Sequence, residues 1–277
     1  MAHSVVPEAE EILDKEFPVL DKGYVRLVDY LGSDERIVQA ARVSYGGGTK
    51  SYRQDRGLIN YLLRNRHTSP FEQVSLTFHL KMPIFVARQW VRHRTARMNE
   101  ISARYSVMKD EFYVPAGVDI AAQSEDNKQG RATEPVSEDL QKAVREMLER
   151  DQTQAYETYN WLVGEGIAKE LARINLPLSL YTEFYWQMDL HNLMHFLELR
   201  MHPHAQREIQ AYASRIFQIT KKVTPIACEA FEEHILEGIQ LSGQEIAAVK
   251  RMIEGAEPGL EGKNLERFKR KLDQGFE

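Results

Sequence analysis

Polar and apolar positions alternate most cleanly over residues 74–82, where Val74, Leu76, Phe78, Leu80 and Met82 are separated by Ser75, Thr77, His79 and Lys81. A period of two is the mark of a strand with one buried face. Pro83 ends it and suits the first turn of a following helix. β-Branched and aromatic content predicts further strands at residues 24–31 and 181–186, and a short one at 111–114 before Pro115. Elsewhere the period lengthens to that of a helix. Ser33 can cap a helix toward Val43, and Leu58, Ile59, Leu62 and Leu63 line another, closed by basic residues that suit the helix dipole. A helix is expected over 84–94, then an irregular stretch holding Asn99 and Ser102. From Ser137, Leu140, Val144, Met147, Leu148, Ala155, Tyr159 and Leu162 fall on one face, with Gly164 and Gly166 as the stop. Helices are expected at 167–174, 189–200, 204–222, 226–239 and 243–254.

Between these elements, residues 1–20 read as a loosely attached arm, 45–49 as a mobile Gly-rich connector without a phosphate-loop pattern, and 116–135 as an exposed linker. The last 23 residues read as a charged surface tail. Strand-rich early and helical late, the chain is an α+β protein. One domain is expected over 21–240, flanked by the 1–20 arm and a 241–277 helical and charged tail.

Composition narrows the class. With 277 residues, 43% hydrophobic, the chain can bury a large core and is not disordered. Its one cysteine, Cys228, rules out a disulfide framework and a cysteine-based zinc site. The single thiol fits a reducing, cytoplasmic location, and an acidic start and the lack of a long apolar run predict a soluble protein with no membrane partner. The net charge of −5 argues against general nucleic-acid binding.

That total hides a local reversal. Residues 88–104 hold five arginines (88, 92, 94, 97 and 104) and one acid, Glu100, for a charge of +4. Such a run is often a solvated helix face. Here lysine is absent, and Gln89, Trp90, His93, Asn99 and Ser102 are interleaved. Arginine is the better choice for bidentate recognition of phosphate or carboxylate. On a helix Gln89, Arg92 and His93 would share a face suited to a base edge and a phosphate.

Arg92-His93-Arg94, seven residues and then Ser102 form an RHRx7S pattern, continued through Arg104-Tyr105-Ser106. Around it stand His67-Thr68-Ser69-Pro70-Phe71-Glu72, Pro83 through Trp90, Glu111-Phe112-Tyr113, Ala172 through Pro177, and Leu199-Arg200 with His204-Ala205-Gln206. In this order and spacing, over about residues 23–225, the sequence closely resembles the flavin-dependent thymidylate synthases.

The resemblance implies a homotetramer with a mixed sheet covered by helices and active sites built from several subunits. It implies dTMP formation from dUMP for de novo dTTP synthesis, a one-carbon unit from methylenetetrahydrofolate, and hydride from FAD that NADPH reduces. Arg200, which alone reads as a cation at a helix C-terminus, is assigned by the resemblance to activating the uracil by stabilising charge at N3 and O4. Cys228, in an ordinary helical stretch, is expected to be a buried hydrophobe and not the nucleophile that unrelated thymidylate synthases use. The dUMP contacts implied are Gln89, Trp90, Val91, Arg92, Glu100, Ile101, Ser102, Ala103, Arg104, Arg173 and Arg200. Ser102 is a hydrogen-bond donor in this reading, since no His–Asp pair is evident near it. The FAD contacts implied are Ser69, Arg92, His93, Arg94, Glu100, Asp189, Leu190, His191 and His195, with Glu72 and His67 orienting flavin or folate.

The segment 189–196 departs from an Asn-Ala-Arg-Ser-Leu-Met-Asn-Phe pattern found in some members. Asp189, His191 and His195 stand where those have Asn, Arg and Asn. An aspartate can accept but not donate. The same histidines offer a rival reading. His191 and His195 are one helical turn apart, with Glu198, His202 and His204 beyond, a spacing that could hold a metal, although no HExxH motif or cysteine ligand supports it. A second rival takes 88–104 as an RNA or DNA surface with Trp90 and Tyr105 for stacking.

Overall fold

The structure, a computed structural model, describes residues 5–43, 52–125 and 128–274. The Gly-rich connector at 45–49 lies outside the described residues. The chain opens with α1 (Pro7–Glu10), β1 (Glu16–Val19), β2 (Gly23–Leu31), α2 (Asp34–Ala41), α3 (Tyr52–Arg64), β3 (Ser75–Pro83), α4 (Ile84–Trp90) and β4 (Arg97–Glu100). A small hairpin, β5 (Ala121–Gln123) and β6 (Arg131–Pro135), precedes the long α5 (Glu138–Gly164). Then come α6 (Lys169–Ala172), β7 (Tyr181–Asp189), α7 (Leu190–Met201), α8 (Arg207–Val223), α9 (Pro225–Phe231), α10 (Gly243–Ile253) and α11 (Gly262–Gln274).

The main sheet runs β1-β2-β3-β7-β4. The α+β class stands, but each pairing is antiparallel, so the sheet is not the mixed one expected. An antiparallel sheet can leave one face to polar groups. Here β2, β3 and β7 bury Val25, Leu27, Leu76, Phe78, Leu80, Phe184, Trp186 and Met188 on the helix side. The other face carries Arg26, His79 and Tyr185, with His79 stacked on Tyr185 at 4.7 Å. Helix α8 lies across the buried face through Ile209, Tyr212, Ala213 and Ile216. Its approach sets one glycine: a Cβ on Gly23 would collide with the Tyr212 hydroxyl, which donates to the Lys81 carbonyl at 2.6 Å.

Four sequence expectations change. The 1–20 arm is tied down where it is described: β1 pairs with β2, Ala9 is fully buried, and the Tyr30 hydroxyl donates to Glu10. The 116–135 linker contains the β5–β6 hairpin, held partly by the Arg131 side chain donating to the Asp119 carbonyl at 2.6 Å. The 111–114 strand is reduced to a single bridge between Phe112 and Leu180. The terminal tail includes α11, which buries Phe268 and sends Lys271 to Glu245 at 2.8 Å. In the last case Leu265, Phe268 and Leu272 stand at helical spacing, but the many charges around them made the segment read as solvated.

The apolar face of α5 behaves differently from the others. Tyr159 is buried over a second, smaller core with Met108, Phe112, Ala172 and Leu180, while Leu140, Met147 and Trp161 remain exposed.

Candidate active site

Arg200 sits in the last turn of α7, half-buried. Its Nε donates to His93 Nε2 at 2.9 Å, and a terminal nitrogen reaches the Gln89 carbonyl at 3.4 Å. Burial lowers the guanidinium's pKa from its ordinary value, yet arginine stays charged in proteins. His93 is pushed down to about 4, by burial first and then by the Arg200 and His195 charges. It is therefore neutral at pH 7, with Nε2 free to accept and the proton on Nδ1. The His93 ring leans edge-on against Phe196 at 4.8 Å, and Phe196 packs on Trp90 at 4.4 Å. The core thus fixes the imidazole and the imidazole fixes Arg200.

The helix expected over 84–94 ends at Trp90. A tightened turn follows, in which the Arg92 and His93 amides reach back only three residues, to Gln89 and Trp90. This turn leaves Arg92 and Arg94 exposed and brings His93 to Arg200. The stretch expected to be irregular begins with β4, an edge strand paired to β7.

The remaining predicted residues fall into two further groups. Glu100 ends β4 and accepts from the buried Thr182 hydroxyl at 2.6 Å. Beyond it the Ile101 amide donates to the Glu183 carbonyl, and the Ser102 hydroxyl accepts from the Arg104 amide at 3.3 Å. Arg104 pairs with Glu170 at 3.1 Å, and Lys169 donates to the Tyr105 carbonyl at 2.7 Å. Arg173 follows α6 directly, in a 3-10 turn. No hydrogen bond or ion pair joins this group to Arg200 among the described residues.

The third group lines a cavity of about 580 Å³ between α3 and α7, with His67, Thr68, His191 and His195 as polar members and Leu62, Leu63, Phe71 and Met194 as apolar wall. Thr68 donates to Glu72 at 3.1 Å, beside the exposed Ser69. His195 faces Glu198 at 3.7 Å. No cluster of three or more His, Cys, Asp or Glu suited to a metal ion occurs among the described residues.

Three expected contacts need correction or a new explanation. The Trp90 side chain is fully buried among Phe184, Trp186, Phe196 and Tyr212, so it cannot touch a nucleotide. The Leu190 side chain is equally buried, and its amide is spent on the Val74 carbonyl at 2.8 Å. Asp189 caps α7, accepting from the Asn192 amide at 3.0 Å and its side chain at 2.7 Å. That role needs only acceptors, which accounts for an aspartate at this position. Cys228 is buried, with its thiol pushed up to about 12, chiefly by burial.

Sequence reasoning assigned no role to Gln206 and Glu208. The Gln89 side-chain amide donates to Gln206 Oε1. Glu208 is 4% exposed on the inward face of α8. The signal was available: Glu208 shares the helical phase of Ile209, Tyr212 and Ile216, a buried position for an acid.

The profile of the family described as Thymidylate synthase complementing protein matches residues 26–226, and that of the Thymidylate synthase ThyX C-terminal domain matches 239–276. A flavin-dependent thymidylate synthase of Treponema denticola is 63% identical over 263 residues, covering 95% of this chain and 99% of that protein. The chain belongs to the flavin-dependent thymidylate synthases. Its relative in Treponema pallidum, which carries the same name, is 58% identical over 277 residues, covering 100% of this chain and 91% of that one. Among solved structures, a UMP/dUMP methylase, PolB, from Streptomyces cacaoi bound with 5-Br dUMP is similar with a TM-score of 0.72. It is 37% identical and covers 79% of this chain and 98% of that one. Membership makes the chain a flavin-dependent methyl-transferring enzyme and gives the Arg200 corner a chemical context. No helix among the described residues is long and apolar enough to cross a membrane.

Proposed function

We propose that this enzyme converts dUMP to dTMP in the cytoplasm, for de novo dTTP synthesis. It takes the one-carbon unit from methylenetetrahydrofolate and its hydride from FAD reduced by NADPH. The observation that carries this reading is the Arg200 corner: a charged, half-buried guanidinium held in place by a neutral imidazole. Negative charge developing on the N3 and O4 side of a uracil would be stabilised there without reorganisation, making C5 nucleophilic. The only thiol is buried and protonated, so it offers no alternative nucleophile.

The residues present fit a flavin nucleotide. The cavity between α3 and α7 pairs an apolar wall with histidine donors at its rim, which matches an aromatic ring system with polar edges. His67, His191 and His195 would hold the group, with Ser69, Arg92, His93 and Arg94 on adjoining surface; Glu100 stands apart at the end of β4, with the Ser102–Arg104 group, and would meet it from another copy. When bound, the flavin supplies hydride chemistry. Ser102 and Arg104 would hold the dUMP phosphate, with Arg173 nearby.

Among the described residues no bond joins the Ser102–Arg104 group to the Arg200 corner within one chain, and α5 leaves Leu140, Met147 and Trp161 exposed. Both features support a homotetramer in which one copy supplies Arg200 and another the phosphate loop. An anaerobic assay with dUMP, methylenetetrahydrofolate, FAD and NADPH tests the activity. dTMP should form only when all four are present; no dTMP from a yellow, folded protein would overturn the reading.

A further inference from the structure

Behind Gln89 lies a chain of polar groups that reaches a buried ion pair. The Gln89 amide nitrogen donates to Gln206 Oε1. Two residues on, in the first turn of α8, stands the buried Glu208. Its Oε1 accepts from Arg131 of β6 and from the Tyr113 hydroxyl at 3.2 Å. Its other oxygen, Oε2, is buried without a partner in good hydrogen-bond geometry. Burial raises this carboxyl's pKa, but the hydrogen bond and charge of Arg131, with smaller help from its own backbone amide and the Gln206 side chain, together bring it below the ordinary value. Glu208 is thus ionised and can only accept.

An ionised carboxylate dictates the polarity of any amide beside it. Gln206 turns its oxygen to Gln89, which leaves its nitrogen for the side of the helix start where Glu208 stands two residues on. Gln89 must then spend its nitrogen on Gln206, and its own oxygen is left to face outward. Without such a constraint a glutamine side chain presents donor or acceptor with little preference, and a site that reads one of them loses affinity to the wrong rotamer.

We propose that Gln206 and Glu208 are positioning residues that lock the Gln89 amide with its oxygen toward the nucleotide, so that Gln89 reads a hydrogen-bond donor on dUMP. Arg131 ties the β5–β6 hairpin to this function by completing the Glu208 ion pair. The donor is the 3′-hydroxyl of the deoxyribose, since the N3 and O4 side of the ring is left to Arg200 in the proposed reaction. The inference rests on the reading that Gln89 touches the nucleotide.

The test is the dissociation constant of dUMP on the FAD-loaded enzyme, measured beside a 3′-deoxy analogue and an N3-methyl analogue. Gln206→Leu and the near-isosteric Glu208→Gln should each weaken dUMP, the former by about tenfold, the worth of one hydrogen bond to a buried polar group. Each should also erase the wild-type discrimination against the 3′-deoxy analogue while leaving the response to the N3-methyl analogue unchanged. A purely structural role would weaken all three ligands alike. The double variant Gln206→Glu with Glu208→Gln restores the polarity, since the amide introduced on α8 can donate to the new carboxylate, which in turn accepts from Gln89. It should recover discrimination. Gln89→Ala separates the two levels of failure. If it binds dUMP as tightly as wild type, the underlying reading of Gln89 is wrong. If it weakens dUMP while Gln206→Leu and Glu208→Gln keep both affinity and discrimination, the positioning proposal alone is overturned.

Discussion

Arg200 and Arg104 are both guanidinium groups proposed to meet the same nucleotide, yet they are built into the molecule in opposite ways. Arg200 is half-buried and fixed by His93, which is wedged against Phe196 and so against the Trp90 core. Arg104 stands on a loop after an edge strand, in an ion pair with Glu170 whose side chains are 57% and 53% exposed. Exposed pairs of this kind are worth roughly 0–1 kcal/mol. In the proposed reaction the first arginine is preorganised where charge would develop. The second is held loosely enough for a phosphate to take it from Glu170. Chemistry and capture ask for different stiffness, and the fold supplies both.

Substitutions should separate the two. Arg200→Ala should lower dTMP formation by at least about 10²–10³-fold, the cost of losing a preorganised electrostatic group, while the bound flavin's absorbance persists. Arg104→Ala should act on capture, raising KM for dUMP about ten- to a hundredfold, as for a charge-assisted hydrogen bond, with a smaller change in kcat. Steady-state kinetics on both variants checks whether the split falls this way.

A pH titration probes the stiffness of the Arg200 corner. The folded pKa of His93, about 4, lies below the ordinary 6.5. As pH falls through 6.5 the unfolded chain takes up a proton that the folded one does not. Stability should therefore be lost from pH 6.5 down to about 4. His79 and His202, also lowered by burial, and Asp34, raised to about 6 by burial, titrate in the same range, so His93→Gln should change the slope of melting temperature against pH by removing one share of it; an unchanged slope would show that His93 is not a titrating group there. At the soft end, Glu170→Gln should change stability by about 0.5 kcal/mol or less and tighten dUMP modestly by freeing Arg104. Cys228→Ala should retain turnover and cost about 1 kcal/mol, typical of a core truncation.

How far the sequence foretold this differs by region. Strand β3 was legible because its alternation reports a sheet with one polar face, and β2 and β7 followed from their β-branched and aromatic content. The pattern of α5 was read correctly as a helix, but periodicity cannot say whether an apolar face meets its own chain or another, and much of that face is exposed. Around the site, spacing put Gln89, Arg92 and His93 on one helix face as candidates, whereas Arg200 became one only through the resemblance to a family. It could not foresee that α4 ends at Trp90, because the turn that brings His93 to Arg200 is set by packing on Phe196. Trp90 looked like a stacking group and is core, since an aromatic beside a basic run carries no sign of which way it faces.

On this reading one active site joins the rigid Arg200 corner of one subunit to the Arg104 loop of another. Subunit mixing tests it most directly. Arg200→Ala and Arg104→Ala proteins, each folded and flavin-loaded, are partly unfolded together, refolded and assayed for dTMP at a dUMP level low enough that both parents are nearly inactive. Mixed assemblies should regain activity well above either parent, because some sites then combine an intact Arg200 with an intact Arg104. No gain over the parents in verified mixed assemblies would contradict the shared site.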